Sequence, residues 1–365
     1  MDGYLGPYGS RTGWSVDLMA AEAGLSLIGL TKRFVNHVAV NDLSLEIPPG
    51  SVLALLGPSG SGKTTTLRLI AGFETPDKGH IRIGAEDVTT LTPAQRRFGM
   101  VFQHYALFPH LTVGENVAFG LEKSLSKQDR LEIVVESLRL VDLAGFEERK
   151  IDELSGGQQQ RVAVARAVAP GPRVMLFDEP LSNLDPSLRE RTRRELRAAI
   201  DRVGVTTVFV THEQEEAFAL GDVVAVLNDG VLEQVGEPIE LYENPLTHFV
   251  ATFVGRASSL KGEMVASDRV KLSDNCEWPV RSPVALEAGQ PVMVAVRPEA
   301  LRPAGEGETG LSGKVVERRF TGGSAFFEVE TELGLVEFEA NVHTAHVGDM
   351  VSLVAEFAHA FPMER

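Results

Sequence analysis

A short apolar run followed by a glycine-rich loop is the feature that most constrains the fold. Val52–Leu56 is wholly apolar, as expected of a strand buried on both faces of a parallel sheet. The sequence GPSGSGKTT follows at Gly57–Thr65, and Thr64–Ala71 is predicted to be a helix. Strand, loop and helix in this order form the setting of a phosphate-binding loop. We therefore expect a nucleotide-binding α/β domain.

The residue types in this loop suit phosphate binding. Glycines let the backbone approach the phosphates closely, and the helix N-terminus adds N–H groups and partial positive charge. Lys63 adds a full charge for the β- and γ-phosphate oxygens, and the hydroxyl of Thr64 is expected to ligate Mg²⁺. The residues predicted to bind the nucleotide are Gly57, Pro58, Ser59, Gly60, Ser61, Gly62, Lys63, Thr64 and Thr65.

A second apolar run, VMLFDEP at Val174–Pro180, ends in two carboxylates. Carboxylates at the end of a parallel strand face the crevice in which α/β sheets bind ligands. We expect Asp178 to lie near Mg²⁺ and Glu179 to polarise the attacking water. Alternatively, the two acids only open the turn at Pro180, but the upstream glycine loop favours the catalytic interpretation.

The pentapeptide LSGGQ at Leu154–Gln158 lies between these two motifs. With them, in this order, it resembles the signature of the ATP-binding cassette (ABC) ATPases, in which two copies close around two ATP molecules. The resemblance implies that Ser155 and Gly157 contact the γ-phosphate held by the other subunit. A serine and two glycines that open a helix can form an anion site of this kind. The implied signature contacts are Ser155, Gly156, Gly157 and Gln158.

Four further residues match positions of this family. Gln103, in VFQHYALFPH, resembles the Q-loop glutamine, which reaches Mg²⁺ or the attacking water. His212, in VTHEQEEA, resembles the switch histidine, which steadies Glu179 and the γ-phosphate. Asp185, in SNLD, resembles the aspartate that communicates across the dimer. Phe34 resembles the aromatic residue that stacks on adenine, although a phenylalanine at a strand end can equally belong to the core.

The pattern along the chain predicts two folded domains. Strands and helices alternate from Arg173 to Asp229, as in a parallel α/β sheet, and short strand-like runs with turns follow the segment Glu237–Arg256. The expected fold is a P-loop NTPase ABC cassette, with a RecA-like core and a helical subdomain, followed by a small all-β OB-like barrel. The predicted segments are a disordered extension at 1–24, the ATPase domain at 25–240 with its helical subdomain at about 105–168, a linker at 241–257, and a TOBE-type regulatory domain at 258–365.

Composition excludes several other classes. The chain has 35 basic and 51 acidic residues, a net charge of −16, which disfavours general binding to nucleic acid. A single cysteine, Cys276, allows neither an intrachain disulfide nor a cysteine-based zinc site. No apolar run approaches the roughly 20 residues needed to cross a bilayer. We therefore expect a soluble chain whose membrane role comes through a partner.

Two further stretches resemble one branch of the family. VRPEAL at Val296–Leu301 and FQHYALFPHLTVGENVAFGL at Phe102–Leu121 are typical of importer ATPases for sugars, polyamines, iron(III), sulfate or molybdate. The resemblance implies a homodimer that binds ATP and Mg²⁺ on the cytoplasmic face of the cell membrane. It would energise a transmembrane permease and, indirectly, a solute-binding protein. We favour an inorganic ion or polyamine as the cargo (iron(III), spermidine or putrescine, or a sulfate-like anion) over a sugar.

Two other classes of P-loop protein fit the sequence less well. An ABC ATPase without a transporter, acting in DNA repair or on ribosomes, usually carries zinc modules, coiled coils or two cassettes, and none is visible in the sequence. A P-loop kinase or GTPase is disfavoured because a kinase has no use for LSGGQ and the guanine motif N-K-x-D is missing from the sequence.

Overall fold

The computed structural model describes residues 24–182 and 186–363, with only the backbone for residues 186–188. The predicted disordered extension, except for Gly24, and Asp185 lie outside the described residues. The chain divides into two compact units. One comprises the described residues up to Val223 together with Leu227–Val231, and the other comprises Val224–Val226 and the described residues from Leu232 onward.

The first unit contains an antiparallel sheet with the strand order β2-β1-β4-β5. Its strands are β1 (Leu25–Phe34), β2 (His37–Ile47), β4 (Lys78–Ile83) and β5 (Glu86–Asp87). Alternate residues of β1 and β2 are buried, including Leu25, Leu27 and Leu43, as expected where one face of a sheet covers a core.

A second sheet carries the strand that precedes the glycine-rich loop. Its strands are β3 (Val52–Leu56), β6 (Gly99–Val101), β7 (Met175–Asp178), β8 (Thr207–Thr211), β9 (Val223–Asn228) and β10 (Val231–Gly236), in the order β10-β9-β3-β8-β7-β6. Strands β3, β8, β7 and β6 are parallel neighbours. Every residue of β3 and β8 is buried, which agrees with the uninterrupted apolar run read from the sequence.

Helices flank this sheet and form a separate cluster. They are α1 (Lys63–Ala71), α2 (Pro93–Arg96), α3 (Val113–Ala118), α4 (Lys127–Leu140), α5 (Gly156–Val168), α6 (Pro186–Val203) and α7 (Gln214–Leu220). Helices α3, α4 and α5 pack against one another where the sequence predicts the helical subdomain. Thr112 and Ser126 cap α3 and α4 by accepting hydrogen bonds from N–H groups of the first turns.

Two short helices occupy the segment for which the sequence predicts a linker. They are α8 (Pro238–Glu243) and α9 (His248–Phe253). Pro238 lies in the first turn of α8, where a missing N–H has no cost, so the proline begins a helix instead of ending one. Leu241 and Val250 are fully buried, which explains why the segment is folded.

The remainder of the second unit is all β. Strands β11 (Ser258–Ala266), β12 (Arg269–Ser273), β13 (Cys276–Arg281), β14 (Pro291–Val296) and β20 (Ala358–Pro362) close into a barrel. Strands β15 (Leu301–Pro303), β16 (Leu311–Phe320), β17 (Ala325–Thr331), β18 (Gly334–Ala340) and β19 (Met350–Ala355) form a further sheet, which the prediction of a single barrel did not include.

The barrel and this further sheet share one apolar core, in which Trp278, Phe327 and Phe338 are at most 1% exposed. Cys276 belongs to the same core, and burial raises the pKa of its thiol to about 11. No helix among residues 24–182 and 186–363 is long and apolar enough to span a membrane.

Candidate nucleotide and hydrolysis site

Four parallel strands bring the predicted hydrolysis residues to one edge of the sheet. Gly57 follows β3, Gln103 lies just beyond β6, Asp178 ends β7 and His212 follows β8. In register, Leu56 is opposite Thr211 and Asp178 is opposite Val210, so these strands end at the same level. The carboxyl edge of such a sheet is where open α/β folds bind ligands.

The carboxylate of Glu179 connects two of these strand ends. Gln103 Nε2 donates to Glu179 Oε2 at 3.3 Å, and His212 Nδ1 lies 3.4 Å from Glu179 Oε1. Both distances are long for hydrogen bonds, so either contact can be exchanged for a water molecule at low cost. Three predicted catalytic residues, far apart in sequence, thus form one cluster.

The backbone of Glu179 is in the left-handed region, with a φ of 46°. This conformation is disfavoured for a residue that carries a Cβ, so surrounding contacts must hold it. The N–H of Glu179 donates to the carbonyl of Val210 at 3.1 Å, and the hydroxyl of Ser182 donates to the carbonyl of Glu179 at 3.0 Å. This role of Ser182 was not predicted, although a serine shortly after a strand end is a sequence signal for a turn of this kind.

Lys63 lies inside the glycine-rich loop. Its ammonium donates to the carbonyl oxygens of Gly57 and Pro58 at 2.8 and 2.9 Å. Burial lowers the pKa of Lys63, while the negative charge of Glu179 acts in the opposite direction. The loop therefore holds a desolvated positive charge close to the Glu179 carboxylate.

The loop glycines are required by close packing and by backbone shape. A Cβ on Gly57 would lie 2.1 Å from the carbonyl oxygen of Leu227. Gly62, at the N-cap of α1, has a φ of 96°, and a Cβ there would lie 2.3 Å from the carbonyl oxygen of Ala39. No side chain among the described residues caps this helix, so its first N–H groups can bind an anion.

Comparison with known proteins agrees with this geometry. A family model described as ABC transporter matches residues 40–182, and a model described as TOBE domain matches residues 294–363. An iron(III) ("Fe(3+) ions") import ATP-binding protein, FbpC, of Rhizobium etli is 48% identical over 310 residues, which cover 83% of this chain and 86% of the relative. The chain belongs to the ATP-binding proteins of ABC transporters. This confirms the predicted importer branch, its fold class and its ATPase activity.

Other relatives and solved structures support the same family. The Agrobacterium fabrum FbpC is 46% identical over 88% of this chain and 92% of its own length, and the Brucella suis protein of the same name is 45% identical over 84% and 87%. A dimeric post-hydrolysis structure of the ATP-binding cassette MJ0796, bound to ADP and Pi, is 33% identical with a TM-score of 0.50, covering 58% of this chain and 98% of that cassette. A nucleotide-free ATP-binding cassette from an ABC transporter has a TM-score of 0.51 at 25% identity, covering 59% and 91%.

The signature residues of this ABC ATPase lie at the N-terminus of α5. Ser155 is the exposed N-cap, its Oγ accepts from the N–H of Gln158, and Gln158 Oε1 accepts from the N–H of Ser155 at 2.9 Å. Gly156 and Gly157 form the first turn. The side-chain hydrogen bonds described for Ser155 and Gln158 are with each other's backbone N–H groups and not with the Glu179 cluster.

Phe34 of this ABC ATPase lies at the end of β1 and is 40% exposed, so it is not a core residue. Its ring stacks on His37 with a centroid distance of 5.6 Å, and Lys32 Nζ lies 5.4 Å from the ring centroid. An exposed aromatic face next to a cation can accept a flat heterocycle.

Proposed function

We propose that this ATPase energises the import of iron(III) by an ABC transporter. The contact of Glu179 with both Gln103 and His212 carries the proposal for hydrolysis. The proposal for the cargo rests on relatives at 45–48% identity that are named as iron(III) import proteins. Related importers for a sulfate-like anion, a polyamine or a sugar remain alternatives for the test below.

Lys63 and the phosphate loop bind the triphosphate of ATP. When ATP enters, the β- and γ-phosphate oxygens replace the carbonyls of Gly57 and Pro58 as partners of the Lys63 ammonium. The exchange is favourable because a bond between a cation and an anion is stronger than one to a neutral carbonyl. The backbone N–H groups of residues 59–65 surround the phosphates. Phe34 stacks on the adenine.

The donor set at this edge fits a magnesium ion. Asp178, Thr64 and Gln103 offer carboxylate, hydroxyl and amide oxygens, and Mg²⁺ is usually held by one or two carboxylates together with substrate phosphates. Burial and the charge of Glu179 raise the pKa of Asp178, while Arg68 lowers it. A cation beside Asp178 would favour its ionised form. When bound, the ion would neutralise charge on the phosphate oxygens.

Glu179 orients the water that attacks the γ-phosphorus and accepts its proton as the bond to ADP breaks. Gln103 and His212 hold the two carboxylate oxygens of Glu179, which fixes the direction of that carboxylate. His212 also donates to the γ-phosphate. The products are ADP and inorganic phosphate, so catalysis consists of positioning and electrostatic stabilisation.

The ATP site is completed by a second copy of the chain. Ser155, Gly156, Gly157 and Gln158 form an exposed helix N-terminus, and we assign it to the γ-phosphate bound by the other subunit. Asp185 communicates across the same interface. A dimer related by a twofold axis therefore contains two ATP molecules between its subunits.

A transmembrane permease is the proposed partner on the cytoplasmic face of the cell membrane. A groove of about 400 Å³ between the β6 edge and the helical subdomain is lined by Phe102, Phe108 and Phe119, of which Phe119 is 61% exposed. Apolar grooves of this kind bind helices of partner proteins. A solute-binding protein delivers the cargo to the permease from the other side.

The test combines capture and uptake. Tagged Glu179→Gln protein, purified with ATP from detergent-solubilised native membranes, should bring down a multi-span permease in near-equal amount. Cells that carry Glu179→Gln in place of the natural chain should lose uptake of radioactive iron(III), because ATP binds but is not hydrolysed. Glu148→Gln, which changes an exposed carboxylate, serves as the matched control.

The outcomes separate the parts of the proposal. If Glu179→Gln cells lose uptake of sulfate, putrescine or a sugar but take up iron normally, the proposed cargo is wrong and the importer function stands. Capture of ribosomes or DNA without a permease would favour an ABC ATPase outside transport. Normal ATP turnover by the purified Glu179→Gln protein would remove Glu179 from its assigned role.

A further inference from the structure

The segments that carry Gln103 and Glu179 both contain backbone in the left-handed region. Tyr105 and Ala106, which follow Gln103, have φ values of 59° and 48°, and Glu179 has a φ of 46°. None of the three is glycine, and two such residues in succession are unusual. Conformations of this kind persist only where neighbouring groups hold them.

Arg166 holds the first segment. Its Nη2 donates to the carbonyl of Tyr105 and its Nη1 donates to the carbonyl of Ala106, both at 2.6 Å. The Arg166 guanidinium is partly buried, and this burial lowers its pKa. One planar side chain thus fixes the carbonyls of both left-handed residues after Gln103.

Gln160 holds the second segment. Its side chain is fully buried, and its Nε2 donates to the carbonyl of Pro180 at 3.1 Å, one residue after Glu179. Its Oε1 has no hydrogen-bond partner among the described residues. A buried amide with one unpaired oxygen costs stability, so this side chain is not explained by packing alone.

Arg166 and Gln160 both belong to α5, the helix capped by the signature residue Ser155. We propose that α5 positions Gln103 and Glu179 within its own subunit, through Arg166 and Gln160. ATP held by the partner subunit contacts the signature of this subunit. Through α5, that contact would position Gln103 and Glu179 of this subunit, which act on the ATP bound by its own phosphate loop. Arg166 and Gln160 are positioning residues and do not touch ATP. The inference rests on the roles proposed above for Gln103 and Glu179.

The test measures steady-state ATP hydrolysis by Arg166→Met and Gln160→Met. Both changes keep side-chain volume and remove the donors, so kcat should fall about 10- to 100-fold, as expected when a catalytic group is displaced without being removed. The KM for ATP should change less than about twofold, because ground-state binding is unaffected. Arg161→Met is the matched control: Arg161 lies on the same helix but bonds to the carbonyl of Val141 and pairs with Glu195.

Two further variants distinguish positioning from a loss of folding. Arg166→Lys keeps the charge and one donor direction, so it should recover part of kcat. Ala106→Gly removes the Cβ that disfavours the left-handed backbone, and it should raise kcat in the Arg166→Met protein but not in the natural chain. If Arg166→Met does not fold, Arg166→Lys alone tests the inference. A positioning role then predicts a lower kcat than that of the natural chain at a nearly unchanged KM for ATP.

Each result has one meaning. Values of kcat for Arg166→Met and Gln160→Met equal to that of Arg161→Met would overturn the inference, as would a rise in KM at unchanged kcat. Failure of Ala106→Gly to change kcat in the Arg166→Met protein would also count against it. The proposed function is tested separately. Normal ATP turnover by Glu179→Gln would contradict it, whatever the kcat values of the Arg166 and Gln160 variants.

Discussion

Asp178, which we propose as a ligand of magnesium, illustrates how a single residue can lower stability. It ends β7 half-buried, and its pKa is raised from 3.8 first by burial and then by the charge of Glu179, with Arg68 opposing. Because the ionised form is disfavoured in the folded state, this carboxyl stabilises the fold most below its unfolded pKa. That contribution is lost as the pH rises through the folded pKa.

Replacing Asp178 with asparagine should therefore stabilise the protein. We expect the Tm of Asp178→Asn to exceed that of the natural chain at pH 8, because asparagine carries no charge that burial and Glu179 would disfavour. The difference should shrink toward zero as the pH falls to the unfolded value of 3.8. Differential scanning calorimetry across this range measures it, and the exposed Asp152→Asn is the control.

ATP turnover by Asp178→Asn should fall at every pH, which separates the two roles of the carboxyl. A Tm difference that is independent of pH would show that its charge is not the cause.

At the scale of elements, α4 and α5 offer a direct comparison between a structural cap and a functional one. Ser126 caps α4 by accepting from the N–H of Asp129 at 3.1 Å, and Ser155 caps α5 in the same manner at 3.4 Å. Only Ser155 lies in the signature that we assign to the γ-phosphate of the partner's ATP. The same chemical change at the two positions should therefore have different effects on activity.

Ser155→Ala and Ser126→Ala should each cost about 1 kcal/mol of stability, the usual loss for an N-cap serine. Their urea unfolding midpoints should shift similarly. Only Ser155→Ala should lose kcat/KM, by about 10- to 100-fold, which corresponds to a hydrogen bond to a charged group. Equal activity of the two variants would argue against contact between Ser155 and the nucleotide.

The elements also show which features can be predicted from sequence. The strand–loop–helix of Val52–Ala71 and the strand end at Asp178 are local patterns, and their positions agree with the structure. The helices α8 and α9 were not predicted, because Pro238 and Pro245 are residues typical of linkers. The burial of these helices also depends on residues distant in sequence. A barrel was predicted, but not the strands that close it, because β20 pairs with β13 and β14 across a long separation in sequence.

The candidate site follows the same division. Glu179 was predicted from its place at a strand end, whereas Gln103 and His212 were predicted from the resemblance to the ABC family. Parallel strand order then brings the three residues together. The contacts of Arg166 and Gln160 with backbone carbonyls were not, because they depend on how α5 packs. The same holds for Arg96, a buried arginine that donates to the carbonyls of Leu69 and Ile70 at the end of α1.

At the scale of the whole molecule, the chain consists of two compact units. The residues that we propose to bind nucleotide and that the structure describes lie in the first unit, and the buried core around Trp278 lies in the second. A ligand that binds only the folded form of one unit stabilises that unit by mass action. Nucleotide should therefore act first on the unfolding of the cassette.

A variant with one tryptophan tests this expectation. The chain has two tryptophans, so Trp14→Phe leaves Trp278 as the reporter of the second unit. ADP at 100 times its Kd should stabilise the cassette by about 2.7 kcal/mol. We expect thermal unfolding followed by the circular dichroism of the helices to shift upward more than the transition followed by Trp278 fluorescence. Equal shifts would show that the whole chain unfolds as one cooperative body.

The burial of Cys276 has a practical consequence for labelling. It is the only cysteine, it is 1% exposed, and with a pKa of about 11 only about 10⁻⁴ of it is thiolate at neutral pH. Maleimides and spin labels should therefore leave the natural chain unmodified. A cysteine introduced on the surface would therefore be the single reactive thiol. Labels attached to it on two copies of the chain could report the distance between the copies during turnover, without first replacing Cys276.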